Sequence, residues 1–331
     1  MKTAPSTSQN EIVVLMPARN ESRNIPSALY AVNSSQNVDG SIHTIVGANA
    51  CTDNTVEVLE TLKLKQKNLD YVVESVPGKP RALNALIDRA EKTRKMSGDD
   101  VVLFLDANAH VQDSTISDLT VMLKQNKNLN AVTANDVSPV PASGSVLEHL
   151  LFGVSEISLS SLALRDRKAS CMAVRAKAVR GVRFPENVMA DDLWLQMYLG
   201  IDTVDTHPTA AVTVQAPRTF FRFAEARVKH MMGLYQLEEF FSPQHVRENF
   251  PTGTHEHAEA LLRDGELQDE FVKLPGIYQA ATLLAMPLHA AFKVAAWVGY
   301  RMSPQMKNHS KPIPQMTEAR SRAKSRRPAH A

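Results

Sequence analysis

The sequence has little cysteine, no strong excess of charge of either sign, and none of the common glycine-rich phosphate loops. Its two cysteines, Cys51 and Cys171, exclude a disulfide framework, and free thiols are typical of a reducing compartment. The 37 basic and 35 acidic residues give a formal net charge of +2, so no overall field favours binding to nucleic acid. With 44% hydrophobic and 22% charged residues over 331 positions, the composition is that of an ordinary globular protein.

Two further absences narrow the class of protein. The first residues, MKTAPSTSQNE, contain no apolar stretch, so we expect no secretory signal and a cytoplasmic location. No GxGxxG and no Walker-type loop follows the first apolar run, which argues against a dinucleotide-binding Rossmann domain and against a P-loop enzyme.

The chain alternates short apolar runs with helical patterns of about a dozen residues, and this alternation predicts an α/β fold with a mostly parallel sheet flanked by helices. The predicted strands cover residues 12–16, 43–48, 71–74, 101–105, 131–137, 169–174 and 209–214. A helix is predicted over residues 145–164. Polar residues follow the first, second and fourth strands, and the carboxyl ends of parallel strands meet at one edge of a sheet, where ligands bind.

The run VVLFLDANAHV, residues 101–111, combines a predicted buried strand with a candidate metal ligand. Asp106 ends the strand and Asn108 follows two positions later. In an extended segment these two side chains point the same way, so they can share one hard cation such as Mg²⁺ or Mn²⁺ that holds phosphates. The alternative is an Asp that only caps the next helix.

Paired acids and clustered arginines are the other candidate site residues. Asp191 and Asp192 precede a helical pattern and are expected in its first turn, either as reactive carboxylates or as plain caps. Further along, a helix is expected to carry Arg222 and Arg227, which could clamp a diphosphate or form a solvated face.

The C-terminal part becomes apolar and then basic. Residues 274–302 are long enough to span a bilayer, but prolines, a histidine and a lysine interrupt them, which favours helices lying in the membrane interface over a spanning helix. A helical hairpin packed on protein is the alternative. The predicted organisation is a flexible N-terminus (1–10), a main α/β domain (11–240), a C-terminal helical segment (241–302) and a disordered basic tail (303–331).

Four of these segments, in this order, resemble the motifs of the family 2 glycosyltransferases with the GT-A fold. Residues 14–21 (VLMPARNE) resemble the family's opening strand and nucleotide loop, and residues 48–55 (ANACTDNT) resemble its DDGSTDNT loop. Residues 78–84 (GKPRALN) resemble its GKxxALN segment, and residues 105–108 (LDAN) resemble its DxD metal motif. The match covers about residues 11–235.

The resemblance implies an inverting transfer of a sugar from a nucleotide donor, expected to be UDP-linked, to a hydroxyl acceptor. The acceptor would be a carbohydrate or lipid-linked molecule in cell-surface polysaccharide or glycolipid synthesis, at the inner face of the membrane. Residues carried over as nucleotide-binding are Pro17, Ala18, Asn20, Glu21, Asn49, Lys79, Asn84 and Asp106. Asp106 and Asn108 would hold Mg²⁺ or Mn²⁺, Asp192 beside Asp191 would be the catalytic base, and Arg222 and Arg227 would contact phosphate or acceptor.

The sequence departs from the family pattern at three places. Asn108 stands for the second metal Asp, and Ala48 and Asn49 stand for an acidic pair. Ala224 and Val228 stand where processive members have Gln and Trp, which favours a single transfer. Two other hypotheses therefore remain: a catalytically impaired binding or scaffold subunit, and a sugar-phosphate nucleotidyltransferase.

Overall fold

The computed structural model describes residues 11–94, 97–98, 100–137, 169–214, 220–250, 294–295 and 297–302. The strands are β1 (Glu11–Ala18), β2 (Ser41–Asn49), β3 (Leu69–Glu74), β4 (Val101–Leu105), β5 (Ala109–Val111), β6 (Ala131–Val137), β7 (Cys171–Arg175) and β8 (Val204–Val214). The helices are α1 (Ile25–Asn33), α2 (Thr55–Lys65), α3 (Lys79–Thr93), α4 (Thr115–Gln125), α5 (Ala176–Val179), α6 (Asp191–Leu199), α7 (Phe220–Phe240) and α8 (Pro243–Asn249).

Strands β3, β2, β1 and β4 lie side by side in that order and form the parallel half of the sheet. Each comes from an apolar run that predicts a strand, and helices connect them. Residues 12–16 of β1 are almost wholly buried, because helices cover both faces of the sheet. The predicted α/β fold with a mostly parallel, helix-flanked sheet is confirmed, and the loops after β1, β2 and β4 share one edge.

The second half of the sheet contains reversed strands that the alternation does not predict. Strand β7 runs antiparallel between β4 and β6, and β5 runs antiparallel to β8. Apolar periodicity carries no direction, since a strand buried on both faces has the same continuous apolar run either way. Because β7 is reversed, its first residues reach the edge of the sheet at which β4 ends.

Apolar clusters pack on both faces of the sheet. On one face, α3, α6 and α7 surround Trp194, whose ring lies 5.1 Å from those of Phe184 and Tyr198. On the other face, α1, α2 and α4 cover the strands. Val246 and Phe250 belong to the cluster around Trp194, so this core continues past residue 240, the predicted domain boundary.

The last described residues are helical and pack on α7. The ring of Tyr300 stacks with Tyr235 at 6.4 Å, and its hydroxyl donates to Glu239. The rest of the predicted 274–302 segment and the predicted helix over residues 145–164 lie outside the described residues. Within the part of the chain that the structure describes, no helix is long and apolar enough to cross a bilayer.

Asp70 lies at the start of β3, so it is at the end of the sheet opposite to the one where β1, β2 and β4 finish. Its carboxylate accepts from Lys63 Nζ at 2.5 Å and from Arg89 Nε at 2.6 Å. Burial by itself would raise the pKa of Asp70, but these two hydrogen bonds outweigh it and lower the pKa from 3.8 to about 2. The ionised form therefore stabilises the fold.

We expect Asp70→Asn to lower the free energy of unfolding at pH 7 by about 1–2 kcal/mol, because both cations lose their partner in a partly solvated site. A depressed native pKa contributes stability above the unfolded value, and this contribution is lost as the pH falls through the native value. The difference between variant and wild type should therefore shrink below about pH 4. Urea unfolding at a series of pH values measures it. Asp39→Asn, which removes the partner of Lys124 at an 80% exposed side chain, is the control; equal losses in the two variants would contradict the assignment.

Candidate active site

The loops after β1, β2 and β4 converge on an open cleft of about 290 Å³ at the edge of the sheet. The lining residues are Pro17, Ala18, Arg19, Glu21, Asn49, Lys79, Ala82, Asp106, Ala107 and Asn108. A much smaller inner pocket of about 20 Å³ also has Pro17, Lys79 and Asp106 in its wall, and Asp191 and Asp192 lie there too. The acidic pair and the strand-end loops, which are distant in sequence, therefore line adjoining pockets that share Pro17, Lys79 and Asp106.

Asn20 and Asn49 hold the loops of the cleft in place. Asn20 adopts a left-handed backbone with φ of 58°, which Asn tolerates, and its Oδ1 accepts the backbone N–H of Thr52 at 2.8 Å. Asn49 donates to the carbonyl of Val76 at 2.8 Å and accepts from the N–H of Gly78 at 2.7 Å. The side chain of Asn49 thus fixes the turn that leads into α3 and Lys79.

Asp106 and Asn108 lie in a turn, so the prediction of an extended segment is wrong. The N–H of Ala109 donates to the carbonyl of Asp106 at 2.9 Å, which closes the turn before β5. The signal that sequence reasoning missed is the second, very short strand that pairs with β8 and forces the chain to reverse. Both side chains nevertheless line the larger cleft.

Lys79 connects the two groups of acids. Its ammonium nitrogen lies 2.7 Å from Oδ1 of Asp106 and 3.0 Å from Oδ2 of Asp191. Partial burial opposes its charge, but the two carboxylates raise the pKa of Lys79 above its ordinary value, so the side chain is cationic. With Asp192 nearby, three carboxylates and one ammonium leave two negative charges when all are ionised, which suits a divalent cation or another cationic group.

The acidic pair lies in the first turn of α6, as the sequence predicts. Burial raises the pKa of Asp191; Lys79 opposes this shift, and the neighbouring Asp192 and Asp106 add to it. Asp192 accepts the backbone N–H of Ala169 at Oδ2, at 3.1 Å. One oxygen of Asp192 is thereby engaged by the backbone just before β7.

Asn84 does not line either pocket. Its amide donates to the carbonyl of Phe184 at 2.9 Å and accepts the N–H of Phe184 at 2.8 Å. This pair of bonds fastens the loop before the acidic pair onto α3, and the ring of Phe184 lines the inner pocket. A motif match alone could not distinguish this structural use from a ligand contact, because both need the same amide.

Helix α7 packs against the loop that precedes the acidic pair. Gln236, which is fully buried, accepts from the N–H of Met189 and donates to the carbonyl of Asn187, each at 2.9 Å. A Cβ at Gly233 would lie 2.8 Å from the Cβ of Ala190, the residue before Asp191. Arg222 and Arg227 belong to this helix, and their side chains lie outside the described part of the chain.

The residues of the cleft fit a divalent metal that is shared with a ligand. Among the described residues, no three His, Cys, Asp or Glu side chains are grouped to hold a metal by themselves. Asp106 and Asn108 supply a carboxylate and an amide oxygen, and Mg²⁺ commonly takes only one or two protein ligands together with substrate phosphates and water. An open cleft with net negative charge meets those requirements.

The chain belongs to glycosyltransferase family 2. The sequence model described as "Glycosyltransferase like family 2" matches residues 9–233, which include the cleft and the acidic pair. The protein is therefore a transferase with the GT-A fold, and the resemblance stated from its motifs is confirmed. No curated protein matches the chain in sequence.

Solved glycosyltransferases share the fold at low sequence identity. The mannosyltransferase PcManGT from Pyrobaculum calidifontis, in complex with GDP-Man and Mn²⁺, is 18% identical with a TM-score of 0.53, and the match covers 96% of this chain and 81% of that one. TarS 1-349 from S. aureus, in complex with UDP-GlcNAc, is 14% identical with a TM-score of 0.50, and the match covers 88% of this chain and 89% of that one.

We expect Gly233→Ala to displace Ala190 and with it the acidic pair. The added methyl group would meet a Cβ at 2.8 Å and a backbone nitrogen at 3.2 Å, so the loop must move, at a cost of about 1–3 kcal/mol. Thermal unfolding and transferase assays measure both effects. The double variant Gly233→Ala/Ala190→Gly removes one of the two clashing methyl groups and should recover part of the loss. If the double variant is no better than the single one, the contact is not the cause.

Proposed function

We propose that the protein is an inverting glycosyltransferase that moves a sugar from a UDP-linked donor to a hydroxyl acceptor. The bridge from Asp106 through Lys79 to Asp191 is the observation that carries this proposal. It joins the open cleft, which has room for a nucleotide, to the inner pocket that contains Asp192. A reaction at the junction would have the leaving diphosphate on one side and a carboxylate on the other.

In this proposal the nucleotide lies along Pro17, Ala18 and Glu21, with its diphosphate toward Lys79. As the bond between sugar and phosphate breaks, negative charge grows on the leaving diphosphate, and a fixed ammonium in a partly desolvated site stabilises it. Asn20 and Asn49 contribute by holding the loops, and Asn84 by holding Phe184.

Asp192 is proposed as the base that takes the proton of the acceptor hydroxyl. The N–H of Ala169 donates to one of its oxygens and so orients the carboxylate beside the inner pocket. A single displacement with one base inverts the anomeric carbon. Asp191, whose carboxylate is tied to Lys79, is proposed to hold the ammonium in place rather than to accept the proton.

Mg²⁺ or Mn²⁺ is proposed to bind at Asp106 and Asn108 together with the diphosphate. When bound, the ion supplies further charge neutralisation at the leaving phosphates. Arg222 and Arg227 are proposed to contact phosphate or acceptor. Because Ala224 and Val228 flank Arg227, we propose a single transfer rather than processive polymerisation.

The acceptor is proposed to be carbohydrate or lipid-linked, in cell-surface polysaccharide or glycolipid synthesis at the cytoplasmic face of the membrane. The end of the described chain supports this location. Four exposed apolar side chains share one face of the helix, at spacings i, i+3, i+4 and i+8: Val294, Trp297, Val298 and Met302. Arg301 lies over the ring of Trp297, and seven lysines and arginines follow after residue 302 against one acid.

The proposed reaction predicts which variants lose activity. A panel of nucleotide sugars, assayed with Mn²⁺ for release of nucleoside diphosphate and for acceptor glycosylation, should give turnover with UDP sugars. Asp192→Asn should lower kcat by about 10²–10⁴-fold, because the acceptor loses its base, and should leave binding of UDP with Mn²⁺ nearly unchanged. Asp106→Asn should weaken that binding.

Isothermal titration separates the competing hypotheses. Binding without turnover of any donor would favour a scaffold subunit, and no binding of UDP or GDP at millimolar concentration would overturn the nucleotide site. Asp118→Asn, a half-buried carboxylate on α4 that lines neither pocket, is a matched control. Wild-type turnover by Asp192→Asn would reject the base assignment.

The membrane proposal predicts binding to anionic vesicles. The protein should sediment with phosphatidylglycerol-containing vesicles and much less with pure phosphatidylcholine, and high salt should weaken binding. Trp297→Ser/Val298→Ser should reduce the partition coefficient by at least about tenfold, since two apolar side chains no longer enter the interface. Leu64→Ser, which removes a 90% exposed apolar side chain on α2, should have no effect. Equal binding of all three proteins would contradict the proposal.

A further inference from the structure

Ser170, just before β7, holds together three carboxylate-bearing segments. Its backbone N–H donates to Oδ1 of Asp136 at 3.1 Å, and its hydroxyl donates to Oδ2 of the same carboxylate at 2.7 Å. Its carbonyl accepts the N–H of Asp106 at 2.9 Å. The preceding residue, Ala169, donates its N–H to Asp192.

Asp136 supplies a hydrogen-bond acceptor at the point where the pairing between β6 and β7 ends. The ladder between β6 and β7 stops at Thr133 and Met172. Beyond it, no carbonyl of β6 pairs with the N–H of Ser170, although Ser170 is only 4% exposed. The carboxylate of Asp136, further along β6, accepts this N–H and the hydroxyl together. We call this pair of bonds the Asp136–Ser170 clamp.

The clamp fixes the direction of the neighbouring peptide. Two bonds from one rigid carboxylate to the N–H and the hydroxyl of Ser170 allow little rotation of that residue. The N–H of Ala169, one peptide earlier, is thereby aimed at Asp192. On the other side of β7, the bond from Asp106 ties the same residue to the end of β4.

We propose that Asp136 is a positioning residue for sugar transfer, which acts through Ser170 and the N–H of Ala169 to orient the carboxylate of Asp192. This inference rests on the proposed function, since it assumes that Asp192 is the base. Asp136 itself need not touch donor or acceptor. Its effect should therefore appear in kcat and not in the affinity for the nucleotide.

The test compares Ser170→Ala and Asp136→Asn with the wild type, and the double variant Asp136→Asn/Asp192→Asn with Asp192→Asn. Ser170→Ala removes only the hydroxyl bond, so we expect a loss in kcat of a few-fold. Asp136→Asn replaces one acceptor oxygen by a donor that opposes Ser170, so we expect about a tenfold loss or more. The KM for the donor and the Kd for UDP with Mn²⁺ should stay within about twofold.

The double variant distinguishes positioning from general stability. Where Asp192 has already been replaced, orientation of this side chain no longer matters, so Asp136→Asn should cause no further loss of kcat. A merely structural role would lower the rate by the same factor in both backgrounds. Asp70→Asn, which weakens the far edge of the sheet, is the control for stability and should leave kcat unchanged.

The outcomes separate this inference from the function on which it rests. Wild-type turnover combined with an unchanged kcat in Asp136→Asn, or with equal losses in both backgrounds, overturns the role of Asp136 alone. If the wild type transfers no sugar from any donor, the proposed function fails and the positioning role fails with it.

Discussion

The ion pairs of Lys79 are the interaction on which the arrangement of the site depends. Three carboxylates lie around one pocket, and without a cation among them their mutual repulsion and partial desolvation would favour protonation or separation. The ammonium lies within 3.0 Å of two of them and so keeps the end of β4 and the start of α6 together. The position of Lys79 in turn follows from the turn before α3, where Gly78 has a φ of 149° and Asn49 holds both ends.

Around this centre, the backbone does most of the positioning. Asp192 accepts a peptide N–H, and Asp106 donates its own N–H to the carbonyl of Ser170. The loop before the acidic pair is bound by Gln236, and it packs closely on α7 because Gly233 has no side chain. Peptide groups fixed at strand ends and in buried loops are more rigid than long side chains on a surface. A site built in this way is already organised before a ligand arrives, which reduces the entropy lost on binding.

Much of the fold could be predicted from the sequence, because buried strands and amphipathic helices leave strong periodic signals. The ends of β1, β2 and β4 were predicted to meet, and Asp191 and Asp192 to begin a helix, and both are confirmed. The reversal of β7 was not predictable, since an apolar run has no direction. The uses of Asn49 and Asn84 were not predictable either, because an amide that holds a loop and an amide that binds a ligand look the same in a motif. Ser170 had no local signal, since its role exists only once β4, β6 and β7 are side by side.

The packing of Tyr300 has a consequence for the far end of the chain. This ring packs on α7 through Tyr235 and Glu239, and Gly233, only two positions before Tyr235 on the same helix, lies against Ala190. The last described helical residues and the loop before the acidic pair therefore contact the same two turns of α7. A truncation before residue 294 would remove the contacts of Tyr300 with α7. Such a truncation would therefore also affect the helix that supports the acidic pair.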